Sequence, residues 1–348
     1  MEVLWTEKYR PETFDQLDFH NEVNQKLINL VENGNMPHTI IYGPDGAGKR
    51  TRVNCLLSKL YGKGCLRVNK DTWSTKHNNT QIDLNIRYSK CHYELAPSDA
   101  EYNDRIVLIK LIKDTASNTS FYVNPTEKNS FMTFVLYDAH KLTLGAQAAL
   151  RRTLEKYSNK IRVIMICETL GTLIPALKSR CLLLRVKSPS EGEINSVVEK
   201  IAKLENMKDY NKYQTNLLKA SQRNMRKAML FLQHIYLTKM PPNQAFKDYW
   251  KITIENAIIK PILQHQTVDT VKELRKPFYD LLVNQIPADE IIKEMLIQFC
   301  THIKKPEFVS QAKEAGVTCD TGLKQGTRSI IYLESFAVKL MIIAKQKK

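Results

Sequence analysis

The spacing of apolar positions changes character along this chain, and the changes divide it. Residues 21–33 place Val23, Leu27, Leu30 and Val31 at helical spacing and stop at Asn33-Gly34, a helix end. The run Thr39-Ile40-Ile41-Tyr42 predicts a buried strand, and Val53, Leu56, Leu57 and Leu60 then recur on one face of a helix. Between Cys65 and Pro97, short β-prone stretches at 66–68, 82–86 and 93–95 alternate with polar residues, which predicts an insertion containing a hairpin. Ser98-Asp99 is expected to cap a helix starting near Asp104, with Ile106, Leu108, Ile109 and Ile112 apolar, and the polar residues 114–130 read as a loop. Apolar runs at 131–137, 161–167 and 182–186 predict further buried strands, with a helix over 143–157. Strands alternating with helices give an α/β fold, a parallel sheet covered on both faces. Beyond Pro189 the strand pattern stops. Ser190-Glu191-Gly192-Glu193 opens a helix with an acidic first turn, and amphipathic segments continue to about Lys239. Met240-Pro241-Pro242-Asn243 is a break, and helices are expected at 244–262, 267–284, 287–304 and 326–346. The expected division is therefore 1–187, 188–240 and 241–348.

The densest chemistry follows the first strand. Gly43-Pro44-Asp45-Gly46-Ala47-Gly48-Lys49 sits between a strand and a helix, the context that a phosphate-binding loop needs. Its glycines let backbone N–H groups close around phosphate oxygens, the helix N-terminus adds its positive end, and Lys49 would reach the β/γ-phosphates. The next position normally carries the hydroxyl that holds Mg²⁺, but here it is Arg50. Thr51 comes one residue late, which on a helix turns a side chain by about 100°. The loop reads as built for a nucleotide and poorly built for its metal. Tyr9, Arg10 and Pro11 belong to an aromatic and basic cluster suited to an adenine pocket. The strand 131–137 ends in Asp138, where a phosphate-loop NTPase places its second acidic motif. The residue after it, which polarises the attacking water in hydrolytic relatives, is Ala139. An alanine polarises nothing.

Charge narrows the partners. With 52 Lys+Arg against 36 Asp+Glu, the formal net charge is +16, which favours a polyanion, and nucleic acid is the commonest one. No apolar run approaches the roughly 18 residues that span a bilayer, so no membrane association is expected. The opening residues lack the basic region and apolar stretch of a signal peptide. The seven cysteines are scattered without a Cys-x-x-Cys pair, as expected of reduced intracellular thiols, and His77, Cys91 and His92 lack zinc-ligand spacing. No metal site is expected.

Several segments together resemble one family, the small subunits of replication factor C, the eukaryotic sliding-clamp loader. They are Trp5-x-x-Lys-Tyr-Arg-Pro11, the phosphate loop, Pro97-Ser98-Asp99, Gln147-x-x-Leu-Arg-Arg152 and Ser179-Arg180-Cys181. The resemblance extends through Ala228, Tyr279-Asp280-Leu281-Leu282 and Tyr332-Leu333-Glu334-Ser335-Phe336, and so covers nearly the whole chain. The basic residue after the loop lysine, the degraded acidic motif and the 69–97 insertion resemble the family's ATPase-degenerate member. Glu168 replaces the asparagine that active members carry at the end of the third strand. The resemblance implies an AAA+ fold with a RecA-like sheet in 1–187, a helical lid in 188–240 and an oligomerising helical collar in 241–348. It implies that Arg180 is an arginine finger presented to a neighbouring subunit, and that Arg226 touches nucleotide from the lid. Arg105, Lys110 and Lys113 become candidate contacts to DNA phosphates or the clamp. The implied ligand is ADP or ATP held without turnover, with Mg²⁺ left open. The implied partners are other replication factor C subunits, alternative large subunits, the clamp PCNA and primer-template DNA, in the nucleus. Two other readings are an autonomous ATPase using Lys49 and Asp138, and a DNA-binding scaffold with a vestigial, empty nucleotide site.

Overall fold

The computed structural model describes residues 3–34, 36–77, 80–118, 131–207, 210–239, 248–303, 305–326 and 328–347. The chain forms two compact units, Met1–Phe246 and Lys247–Lys348.

The first unit is built on a seven-stranded sheet of β1 (Thr39–Tyr42), β2 (Asn69–His77), β3 (Thr80–Tyr88), β4 (His92–Leu95), β5 (Met132–Leu136), β6 (Ile161–Cys167) and β7 (Leu182–Arg185). Its order is β2-β3-β4-β5-β6-β1-β7. The strands from β4 to β7 pair in parallel, and the β2–β3 hairpin extends the β4 edge by antiparallel pairing. The inner strands β1, β5 and β6 are mostly apolar at successive positions because both faces are covered. Ile40, Phe134, Val163 and Met165 enter one core with the helices Asp104–Asn118 and Leu144–Lys156. Ile41, Val135, Ile164 and Ile166 enter the other, beside Asn21–Glu32 and Lys49–Tyr61.

The hairpin is present, but its first strand is not where the sequence suggested. Residues 66–68 lie at the end of a 3-10 turn, and the strand is the polar stretch Asn69–His77, carried by its ladder with β3. Residues 97–103 form a 3-10 turn, so Asp99 lies within that turn and does not cap the next helix. That helix runs to Asn118, five residues into the expected loop, and 119–130 lie outside the described residues.

Helices Glu191–Leu204, Tyr210–Ser221 and Met225–Thr238 bury a third core that includes Trp5 and Phe19 from the N-terminal arm. Ser190 and Glu193 form the reciprocal cap that starts the first of them. The expected break at 240–243 lies outside the described residues.

His38 introduces β1. Its carbonyl accepts from Leu182 N–H at 2.8 Å, and its Nδ1 accepts from Val163 N–H at 3.2 Å. Burial, reinforced by the nearby Arg162 guanidinium, pulls its pKa down to about 4. Below about pH 6.5 the unfolded chain binds a proton that the fold refuses, so His38 makes stability fall between about pH 6.5 and 4, by at most ~1.4 kcal/mol per pH unit. Urea midpoints at pH 7 and pH 5 are expected to differ less in His38→Gln than in the parent. An equal drop in both would remove His38 as the cause.

The second unit is all helical: residues 249–264 with a π-turn at Ile254–Ile259, then Val268–Val283, Ala288–His302, Pro306–Gln325 and Ser329–Lys347. Phe278, Phe299 and Phe336 are fully buried at its centre. The helix Pro306–Gln325 was not anticipated from sequence. The expected helix at 244–262 is described only from Tyr249 onward. Among the described residues no helix is long and apolar enough to cross a membrane.

Candidate nucleotide-binding site

The loop after β1 has the shape its glycines permit. Gly43, at φ +151°, passes so close to the end of β7 that a Cβ there would lie 1.9 Å from the Val186 carbonyl oxygen. Gly46, at φ +69°, leaves room for the Asn224 side chain, whose Oδ1 would be 1.9 Å from a Cβ. Ala47 is buried, and Gly48 precedes the helix that Lys49 begins. The Lys49 ammonium is folded back into the loop, donating to the carbonyls of Gly43 at 2.6 Å and Pro44 at 2.8 Å. Burial lowers its pKa, opposed by Asp45 and Glu168.

The helix Met225–Thr238 closes on this loop. Met225 N–H donates to the Gly46 carbonyl at 3.2 Å, and Asn224 Oδ1 accepts from Lys227 N–H at 3.1 Å. Arg226 Nη1 reaches both Asp45 oxygens, at 2.9 and 2.8 Å. Burial pushes the Asp45 carboxyl up, but Arg226, the Gly46 backbone and Lys49 outweigh it, so Asp45 stays below the ordinary carboxylate range.

A cavity of about 930 Å³ opens beside the loop, within the size range of small-molecule sites. Tyr9, Arg10, Pro11, Gly46, Gly48, Lys49, Arg50, Thr51, Asp138 and Arg226 all line it, whereas Gly43, Pro44 and Ala47 do not. The N-terminal arm is fixed over it. Trp5 N–H donates to Gln233 Oε1 at 3.0 Å, and Tyr9 Oη and Lys8 Nζ both reach Glu205, at 2.5 and 2.6 Å. Arg10 pairs with Glu7, and the Pro11 carbonyl accepts from Cys55 Sγ at 3.6 Å.

Two acids, Asp138 and Glu168, follow the strand ends beside the loop. Asp138 sits in left-handed backbone at φ 50°, and its carboxylate is paired with Lys141 at 3.0 Å. Ala139 is fully buried, and Glu168 is exposed at the cavity wall. The Arg50 guanidinium lies over the Tyr137 ring, 4.3 Å from its centroid, with Nη2 3.9 Å from Glu94. Among the described residues no group of three or more His, Cys, Asp and Glu is placed to hold a metal ion.

Sequence reasoning missed Arg52, one turn into the helix. It is fully buried and donates to the carbonyls of Phe19, Ala47 and Gly48 at 3.0–3.2 Å and to Asn24 Oδ1 at 3.0 Å. It ties the back of the loop to the segment before the first long helix. Asn224 was also missed, though an asparagine immediately before a helical run is a recognisable N-cap.

The remaining candidates lie elsewhere. Arg180 follows the short helix Pro175–Lys178, does not line the cavity, and is exposed, with Nη1 bonded to the Ala176 carbonyl at 3.0 Å and an ion pair to Glu155. Arg105 and Lys113 are exposed on the helix Asp104–Asn118. Lys110 is not open in the way the sequence suggested: its Nζ donates to Thr75 Oγ1 on β2 at 3.1 Å, linking the hairpin to that helix.

Comparisons with known proteins agree with this anatomy. Residues 250–348 match the family model for the replication factor C subunit 3 C-terminal domain, and residues 19–190 match that for the DNA polymerase III delta subunit. Replication factor C subunit 5 of Oryza sativa is 34% identical, the alignment covering 99% of this chain and 98% of that protein. Replication factor C subunit 3 of Homo sapiens is 33% identical over 99% of this chain and 96% of that protein. Among solved structures, a variant of Thermotoga maritima RuvB superposes with a TM-score of 0.50 at 15% identity, covering 82% of this chain and 88% of that one. At that identity the likeness concerns the fold, which is AAA+. The full-length relatives decide the rest: the chain belongs to the replication factor C small-subunit family, beside the members named subunit 3 and subunit 5.

Proposed function

We propose that this chain is a subunit of a sliding-clamp loader for DNA replication. It holds ADP or ATP at the Lys49 loop without hydrolysing it and presents Arg180 to the nucleotide of a neighbouring subunit. The observation that carries the reading is an intact phosphate cradle beside strand ends that carry Ala139 and Glu168. The nucleotide fits the residues present. The glycine loop leads straight from β1 into its helix, Lys49 offers a charge that now rests on two carbonyls, and the arm around Tyr9 walls a cavity of suitable size. Magnesium would lack one of its usual ligands, because position 50 has no hydroxyl.

Residues 188–240 would act as the lid and 241–348 as the collar joining the subunits of the ring. The partners proposed are other replication factor C subunits, including alternative large subunits, the clamp PCNA, and primer-template DNA in the nucleus. Arg105 and Lys113 supply exposed charge for phosphates, which would make DNA binding salt-sensitive and sequence-independent.

The test is to purify the chain alone and in its complex, denature both, and identify the released nucleotide. Close to stoichiometric ADP or ATP, with no turnover by the chain alone, is expected. Lys49→Ala should lose that nucleotide and melt lower, since a ligand at a hundred times its Kd contributes about 2.7 kcal/mol. Turnover by the isolated chain would overturn the reading.

A further inference from the structure

The position that should hold a metal ligand is instead occupied by a restrained cation. Arg50 is the first residue after Lys49, on the opening turn of the helix that leaves the phosphate loop. Its guanidinium does not trail into solvent. It stacks 4.3 Å above the ring of Tyr137, which immediately precedes Asp138, and its Nη2 lies 3.9 Å from Glu94 Oε2 on the adjacent strand β4. Arg50, Tyr137 and Asp138 all line the nucleotide cavity. The charge therefore sits between the loop and the acidic strand end.

Glu94 is itself built in. It is buried, and it faces three cations or potential cations: Arg50, Arg87 at 3.8 Å, and the fully buried His92, whose Nε2 is 3.4 Å away. Ser89 Oγ holds the other ring nitrogen of His92 at 2.7 Å. Burial raises the Glu94 carboxyl, but His92 and Arg50 outweigh it and keep it ionised. A buried carboxylate with several positive neighbours is over-compensated. It can orient Arg50 without neutralising it, and the aromatic face restrains the guanidinium further. One ligand position for a divalent ion is lost outright, position 50, which has no hydroxyl.

We propose that Arg50, held by Glu94 and Tyr137, stands in for the divalent cation at this phosphate loop, so that a nucleoside diphosphate binds without metal. This rests on the nucleotide reading above. A guanidinium donates in a fixed fork that matches phosphate oxygens, and it is never deprotonated at neutral pH. It balances phosphate charge as a metal would, but it cannot carry or activate a water, which is consistent with a site that retains its ligand unchanged.

The experiment measures ADP affinity of the full chain, stripped of nucleotide, by calorimetry in EDTA and again in excess Mg²⁺. The parent is expected to bind with affinities within about twofold in the two buffers. Arg50→Ala should lose about tenfold to a hundredfold in EDTA, the weight of a charged hydrogen bond, while Arg50→Lys should keep most of the affinity. Glu94→Gln should give an intermediate loss. Thermal melts of each variant establish that it is folded, and the two-buffer comparison on the parent needs no variant at all. Binding by the parent that strengthens more than tenfold with Mg²⁺, or a folded Arg50→Ala that binds ADP in EDTA like the parent, overturns the proposal while leaving a nucleotide site in place. No ADP binding in either buffer overturns the nucleotide reading and the proposal with it.

Discussion

Arg180→Ala should abolish the neighbouring site's share of the clamp- and DNA-stimulated ATPase of the assembled complex while the subunit still assembles. Two observations favour an outward role. Arg180 is absent from the wall of its own cavity, and its charge is exposed at the end of a short, Pro175-initiated helix. Its present partner is easily exchanged, because an exposed pair such as Arg180–Glu155 is worth roughly 0–1 kcal/mol. An arginine supplied across an interface to a transferring phosphoryl group is worth about 10³–10⁵ in rate. Spread over several sites in a ring, the loss would appear as removal of the neighbouring site's share, resolved by single-turnover measurement. Unchanged turnover in a complex that contains the variant would sink the assignment.

The largest expected stability effect lies at a residue buried behind the loop. Arg52→Met should destabilise the first unit by about 3 kcal/mol, since each buried acceptor left without its donor costs about 1–3 kcal/mol. Methionine fills much of the volume but leaves Asn24 Oδ1 and the carbonyls of Phe19, Ala47 and Gly48 without their donor. Burial draws the Arg52 pKa down to about 10, which still leaves a full charge at neutral pH, stacked on Phe19 at 4.8 Å. Urea titrations followed by a probe in the first unit measure the effect. A loss under about 1 kcal/mol would mean that water takes over the role of the guanidinium.

The parts of the fold that were legible are those in which side chains announce the environment. β1, β5 and β6 are mostly apolar because helices cover both faces, and the strand–loop–helix context of Lys49 follows from glycine chemistry. β2 was misplaced because Asn69–His77 carries almost no apolar signal; backbone pairing with β3 makes it a strand, and only Trp73 packs against the core. The helix Pro306–Gln325 was overlooked because glycines, threonines and serine weaken its periodicity, while tertiary burial of Ala312, Ala315 and Cys319 holds it.

At the site, Lys49, Asp138 and Arg226 were readable from motif and resemblance, and the cavity gathers them. The clasp that joins them was not readable. Asp45 to Arg226 and Glu94 to Arg50 span 181 and 44 positions of chain, and nothing local marks either carboxylate as a partner. The same limit applies to Lys110: its charge is plain in the sequence, but the hairpin residue that engages it is not.

The contact of Asn224 and Met225 with Gly46 has a kinetic consequence. The loop cannot widen while that helix start rests on it, because a hydrogen bond and a side chain packed against a residue without a Cβ both have to be released together. Escape of anything gripped by the loop is then expected to depend on release of that helix as well as on the strength of the grip. Residence time and affinity become separately adjustable, and a change on the helix far from any phosphate can lengthen one without altering the other.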